Sequence, residues 1–171
     1  SRASISTITG ISVSATTRTK RSGEVEGKDY FFLSKEEFQK RIKAGDLVEW
    51  EAYPNETHGN YYGTLRSEVD RALNHGKVML FDVDVKGALS IKKKYGSDAV
   101  LIFITAPSFE ALKNRLLNRK TEDETTVQRR LDRMPMEMEK GKQFDYQVVN
   151  DDLPKAIHEV DSIVKKHTEL E

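Results

Sequence analysis

Two short apolar runs decide the fold: Val78-Met79-Leu80-Phe81-Asp82-Val83, which follows the turn signal His75-Gly76, and Val100-Leu101-Ile102-Phe103-Ile104, which ends at Ala106-Pro107. Continuous apolar runs of this length read as strands buried on both faces, the usual state of a parallel sheet covered by helices. Between them, Gly87 to Tyr95 sets Ala88, Leu89 and Ile91 against Lys92, Lys93 and Lys94, the pattern of a crossover helix. The unit then repeats. Ser108 is a good N-cap after Pro107, and Phe109, Leu112, Leu116 and Leu117 follow at helical spacing. A last strand, Tyr146 to Val149, leads into Leu153 to Glu171, where Ala156, Ile157, Val160, Ile163 and Val164 form a helical stripe. The order βαβαβα predicts an α/β chain with a parallel sheet.

Upstream the texture changes. A strand is expected at Ile11 to Ser14, and Ser34 with Glu37 forms a capping box that opens a short helix, with Phe38 and Ile42 apolar and Gly45 as its stop. Around that helix, Tyr30 to Leu33, Leu47 to Tyr53 and Tyr61 to Thr64 are aromatic and β-branched runs, the signature of a small mixed sheet. Ser67 to Leu73 reads as a helix that returns the chain to the main sheet. Arg115 to Arg133 is charged, with few core residues, and reads as a mobile, solvated flap. The expected organisation is a core of residues 1–29 and 66–171, a lid at about 115–133 and an inserted subdomain at 30–65.

Composition narrows the function classes. The 171 residues suit about one domain, and 37% hydrophobic with 33% charged residues excludes a disordered or low-complexity chain. Lys and Arg total 28 and Asp and Glu total 28, so no overall basic field holds the chain on nucleic acid or an anionic membrane. The absence of cysteine excludes disulfides, thiolate zinc sites and a cysteine nucleophile. No apolar run approaches the ~20 residues of a membrane span, and Ser1 to Gly10 lacks the apolar core of a signal peptide, so a cytoplasmic location is expected. The four histidines are scattered without ligand spacing.

Three constellations carry chemistry. Thr16-Thr17-Arg18-Thr19-Lys20-Arg21 follows a strand, and arginine forks at strand ends of α/β proteins bind phosphate bidentately; a solvated basic loop is the plain alternative. Tyr30 and Tyr62 either lend hydroxyls to that phosphate or pack. Asp82 and Asp84 end an apolar strand two residues apart, on one side of it, where one can position a hydrated magnesium ion and the other accept ligand N–H groups; the alternative is that one of them caps the following helix. The arginines of the flap, Arg115, Arg119, Arg129, Arg130 and Arg133, are either a soluble helix face or a lid that closes on transferring phosphates.

These pieces resemble the guanylate kinases. The resemblance lies in Ser12-Val-Ser-Ala-Thr-Thr-Arg18 with Arg21 and Gly23-Glu24, Gly27-Lys-Asp-Tyr30-Phe31-Phe32, Glu49-Trp50, Gly59-Asn-Tyr-Tyr-Gly-Thr64, Asp82-Val-Asp-Val-Lys-Gly87, Ala106-Pro-Ser108 and Val148-Val-Asn-Asp-Asp-Leu153, in family order. It implies a P-loop NTPase-like parallel sheet flanked by helices, with a small mixed α/β GMP-binding insertion and a helical lid. It also implies ATP-dependent phosphorylation of GMP and dGMP with Mg2+ by in-line transfer. By the same resemblance Arg18, Arg21, Tyr30 and Tyr62 clamp the GMP phosphate, while Ser14, Glu49, Thr64 and Asp84 read guanine. Asp82 organises the magnesium through water and, with Arg119 and Arg130, is catalytic; Arg119, Arg130 and Asn150 meet ATP. One family element is absent: no Gly-x-x-x-x-Gly-Lys-[Ser/Thr] stands in the 171 residues, and Gly76-Lys77 precedes a strand, the wrong context. The expectation is an enzyme whose phosphate loop precedes Ser1. The alternative is a non-catalytic guanylate-kinase-like interaction module. Tyr53 to His58 also lengthens the connection before Gly59.

Overall fold

The computed structural model describes residues 8–53, 59–76, 78–118 and 124–168, and divides into two compact units, residues 1–96 with 168–171 and residues 97–167. In the first unit, strand β1 (Ile8–Ile11) pairs in parallel with β6 (Val78–Leu80). A second sheet of four strands has the order β3-β2-β5-β4, built from β2 (Ala15–Thr16), β3 (Phe31–Phe32), β4 (Leu47–Tyr53) and β5 (Asn60–Leu65).

The expected strand at Ile11 to Ser14 is displaced. Ser12 N–H still donates to the Leu80 carbonyl at 3.0 Å, whereas the Ser14 carbonyl accepts from Phe31 N–H at 2.9 Å. Residues 12–14 therefore pass the chain from one sheet to the other, and the ladder cannot run through them. The small sheet thus draws in Ala15–Thr16, upstream of residue 30.

Helix α1 (Lys35–Ala44) starts and stops as its sequence dictates: Ser34 Oγ accepts the Glu37 N–H at 3.1 Å, and Gly45 takes φ 72°, which a side chain would resist. Its Phe38 is fully buried and packs with Ala15, Leu47 and Leu65 on one face of the small sheet. Helix α2 (Arg66–Asn74) leads to β6, and α3 (Val85–Tyr95) follows with Val85, Ala88 and Ile91 buried.

The second unit pairs β7 (Ile102–Thr105) with β8 (Tyr146–Val149) in parallel and adds α4 (Phe109–Asn118), α5 (Glu124–Gly141) and α6 (Leu153–Thr168). Two-sided burial of the deciding runs is not met: Leu80 is 40% exposed and Ile104 is 54% exposed, because the described helices do not cover both faces of these two-stranded ladders. The stretch read as a flap of few core residues is helical on both flanks. Leu116 of α4 and Val127 and Leu131 of α5 are buried against one another, so α5 carries its own apolar stripe and extends to Gly141, past Arg133. Residues 119–123, and the lengthened connection at 54–58, lie outside the described residues.

Candidate functional site

Strand register assembles a polar face on the small sheet. Glu49 pairs with Thr64, Glu51 with Tyr62, Tyr62 with Thr16 and Thr16 with Phe32. Paired residues share a face, so these side chains stand together, while the next residues along, Trp50, Gly63, Ala15 and Phe31, stand on the face that α1 covers.

At one end of this face two carboxylates converge. The fully buried Thr64 hydroxyl donates to Glu49 Oε1 at 2.7 Å. Asp84 caps α3, its Oδ1 accepting the Gly87 N–H at 2.7 Å. A Cβ built on Gly87 would lie 2.9 Å from Glu49 Oε2 and 3.1 Å from Asp84 Oδ1, so the missing side chain is what admits both acids to the first turn of α3. Burial pushes the Glu49 carboxyl above the usual carboxylate range and the Asp84 charge adds to this, while the Thr64 hydrogen bond opposes it. Beside them β4 and α3 border a groove of about 390 Å³, the size range of small-molecule sites.

At the other end Arg18 is held at the tip of its guanidinium and packed near two aromatic rings. Its Nη2 and Nη1 meet Glu24 Oε1 and Oε2 at 2.7 and 3.2 Å, and Nη1 also donates to the Thr19 carbonyl at 3.0 Å. The Cζ lies 5.3 Å from the Tyr30 ring centroid and 5.9 Å from that of Phe32. Tyr30 meets Tyr62 edge-on at 6.2 Å, and Tyr62 meets Tyr53 in the same way at 5.3 Å. The Glu24 hydrogen bonds hold Arg18 firmly protonated, with Tyr62 contributing, and Arg18 in turn holds the Glu24 carboxyl below its ordinary range.

The structure therefore brings Glu49, Thr64 and Asp84 together at one end and Arg18, Tyr30 and Tyr62 at the other. Ser14 lies on the link between β1 and β2. The Arg21 side chain is exposed and its backbone N–H donates to Glu24 Oε2 at 2.8 Å. The reading of Asp82 and Asp84 as carboxylates on one side of a strand is corrected: β6 ends at Leu80, Asp82 is exposed in the following loop, and Asp84 is the helix cap. In the second unit Arg130 is exposed on α5, and the Asn150 side-chain oxygen is buried without a hydrogen-bond partner among the described residues, just beyond β8. Arg119 lies outside the described residues. Glu24 and Gly87 were legible only as parts of sequence patterns; their roles depend on contacts that spacing does not reveal.

No group of three or more histidine or acidic side chains able to hold a metal ion occurs among the described residues, and no described helix is long and apolar enough to cross a membrane. A family model described as guanylate kinase matches residues 3–167. A guanylate kinase of Salinibacter ruber is 51% identical over 149 residues, which cover 86% of this chain and 77% of that protein. One from Thermotoga maritima is 48% identical over 154 residues, covering 90% of this chain and 72% of that protein. The crystal structure of guanylate kinase from Anaplasma phagocytophilum matches with a TM-score of 0.71 at 31% identity, covering 95% of this chain and 77% of that one.

Proposed function

The chain belongs to the guanylate kinase family, with the α/β fold of its members, and on that premise we propose that it transfers the γ-phosphoryl group of ATP to GMP, and to dGMP. The observation that carries the reading is the single polar sheet face that ends in the Glu49–Thr64 pair on one side and the Arg18–Tyr30–Tyr62 cluster on the other.

Glu49 and Asp84 supply acceptors for the N1–H and amino group of guanine. Adenine presents the opposite donor and acceptor order on that edge, so AMP cannot supply the donors these carboxylates would take from guanine, at about 1–3 kcal/mol per lost hydrogen bond. Thr64 already gives its hydrogen to Glu49, so its donation to the guanine O6 requires a hydroxyl rotation on binding, and Ser14 is the second hydroxyl of this reader set. Arg18, Arg21, Tyr30 and Tyr62 take the phosphate. In this arrangement residues 30–65 form the GMP-binding insertion on a core of residues 1–29 and 66–171, with a lid at about 115–133.

Asp82 is a lone exposed carboxylate, and that donor chemistry suits an ion that keeps most of its waters and takes its other ligands from phosphate oxygens, as Mg2+ does. Bound there with ATP, magnesium supplies neutralisation of phosphate charge. Arg119 and Arg130 spread charge on the transferring group, a task of positioning and electrostatics more than of covalent chemistry. The unpartnered Asn150 oxygen supports a role in accepting an N–H of ATP. A cytoplasmic setting suits these substrates.

The test is the ATP- and magnesium-dependent conversion of GMP to GDP by the full-length polypeptide. GDP formation with little conversion of AMP is the expected result. The non-catalytic alternative is not favoured by the guanylate kinase relatives, and it requires that no GDP form.

A further inference from the structure

A guanidinium carries five N–H groups on two usable edges, one at the end (Nη1 and Nη2) and one at the side (Nε and Nη2). In Arg18 the end edge is taken by Glu24, at 3.2 and 2.7 Å, and the second Nη1 hydrogen by the Thr19 carbonyl at 3.0 Å. The side edge faces the Tyr62 hydroxyl, which hydrogen-bonds the guanidinium, and it is the edge that Glu24 leaves to an incoming acceptor. Glu24 does a second thing: its Oε2 also accepts the Arg21 N–H at 2.8 Å, and its own N–H donates to the Arg21 carbonyl at 3.1 Å, so the segment from Arg18 to Glu24 is closed on itself. The pair is largely shielded, with side-chain exposures of 13% for Arg18 and 20% for Glu24. The Tyr30 and Phe32 rings support the guanidinium from its face.

We infer that Glu24 is a positioning residue for the phosphate site: it ties Arg18 end-on, so that the side edge, together with the Tyr62 hydroxyl beside it, meets the phosphate of GMP. The inference rests on the reading of Arg18 as a phosphate ligand. A carboxylate this close to a phosphate repels it, so Glu24 aids binding only because the order it gives Arg18 outweighs that repulsion. An arginine already fixed in its binding rotamer spends less of its interaction energy on ordering than a loose one. The opposing idea is that Glu24 competes with the phosphate for Arg18. It requires the acid to sit on the edge the phosphate needs, whereas Glu24 occupies the other edge.

The two ideas differ in sign. Calorimetry of GMP and of guanosine binding is measured on the chain, on Glu24→Gln and Glu24→Asp, and on Glu24→Gln in an Arg18→Ala background. Glutamine keeps the shape but turns one acceptor into a donor facing Nη, and aspartate keeps the charge but shortens the reach. Positioning predicts GMP binding at least about tenfold weaker in Glu24→Gln and weakened in Glu24→Asp. It also predicts little change for guanosine, and little further loss from Glu24→Gln once Arg18 is alanine. GMP affinity that is unchanged or tighter in Glu24→Gln overturns the proposal, as does an equal loss for guanosine, which is what a purely structural role gives. If Glu24→Gln does not fold, unchanged or tighter GMP binding by Glu24→Asp overturns it. If the unsubstituted chain itself binds GMP no better than guanosine, the phosphate-site reading falls and the proposal with it; if it does prefer GMP and Glu24→Gln keeps the full preference, only the proposal falls.

Discussion

Glu49→Gln separates binding from stability. Glu49 Oε1 holds the Thr64 hydroxyl at 2.7 Å, and Oε2 lies over Gly87, toward Asp84. As a carboxylate it offers acceptors to both guanine N–H groups; as an amide it offers one oxygen and an NH2 group that faces a donor. The loss is a hydrogen bond to a charged acceptor, about 1.5–3 kcal/mol, or roughly 10- to 150-fold in GMP affinity. Folding pushes the Glu49 carboxyl upward, chiefly through burial, so its stabilising contribution belongs to the protonated form at low pH and is lost as pH rises through the raised value. At neutral pH the buried charge therefore weakens the fold, and the glutamine variant should melt no lower than the parent while binding GMP far less well. Calorimetric GMP titration together with thermal unfolding at neutral pH reads both quantities. Equal GMP affinity in the two proteins refutes the assignment of Glu49 as the guanine reader.

Two further substitutions probe the same end of the site. Asp84→Asn keeps a good N-cap but removes the charge that helps to raise Glu49, so the loss of guanosine binding on acidification should move to lower pH; guanosine is the ligand of choice because it carries no titrating phosphate. Gly87→Ala improves helix propensity by about 1 kcal/mol, yet its Cβ falls 2.9 Å from Glu49 Oε2, so GMP affinity should drop without a matching fall in melting temperature.

Local signals were readable wherever they were sufficient. Ser34 and Gly45 do what their positions in α1 imply, because capping and a left-handed stop need only neighbouring residues, while the Glu37 carboxylate of the expected capping box pairs with Arg41 at 3.2 Å. Helix α5 was not readable in the same way. Its buried Val127 and Leu131 are separated by charged residues and find their partner in Leu116 of α4, and Pro135 interrupts the pattern of a helix that continues to Gly141. Asp82 and Asp84 looked equivalent as sequence, since alternation holds only while the strand lasts, and β6 stops at Leu80. The chemistry of Glu49, Thr64 and Arg18 was visible as residue types in a family order. The closure of Glu24 on Arg18 and Arg21 was not, because it depends on how residues 18–24 fold back on themselves.

The position of bound GMP tests these residue roles most directly. A crystal structure of the chain with GMP should place the guanine edge against Glu49 and Thr64, near Asp84, and the phosphate on Arg18 between Tyr30 and Tyr62, with Glu24 still on the end of the guanidinium. Guanine bound away from Glu49, or a phosphate that makes no contact with Arg18, would contradict it.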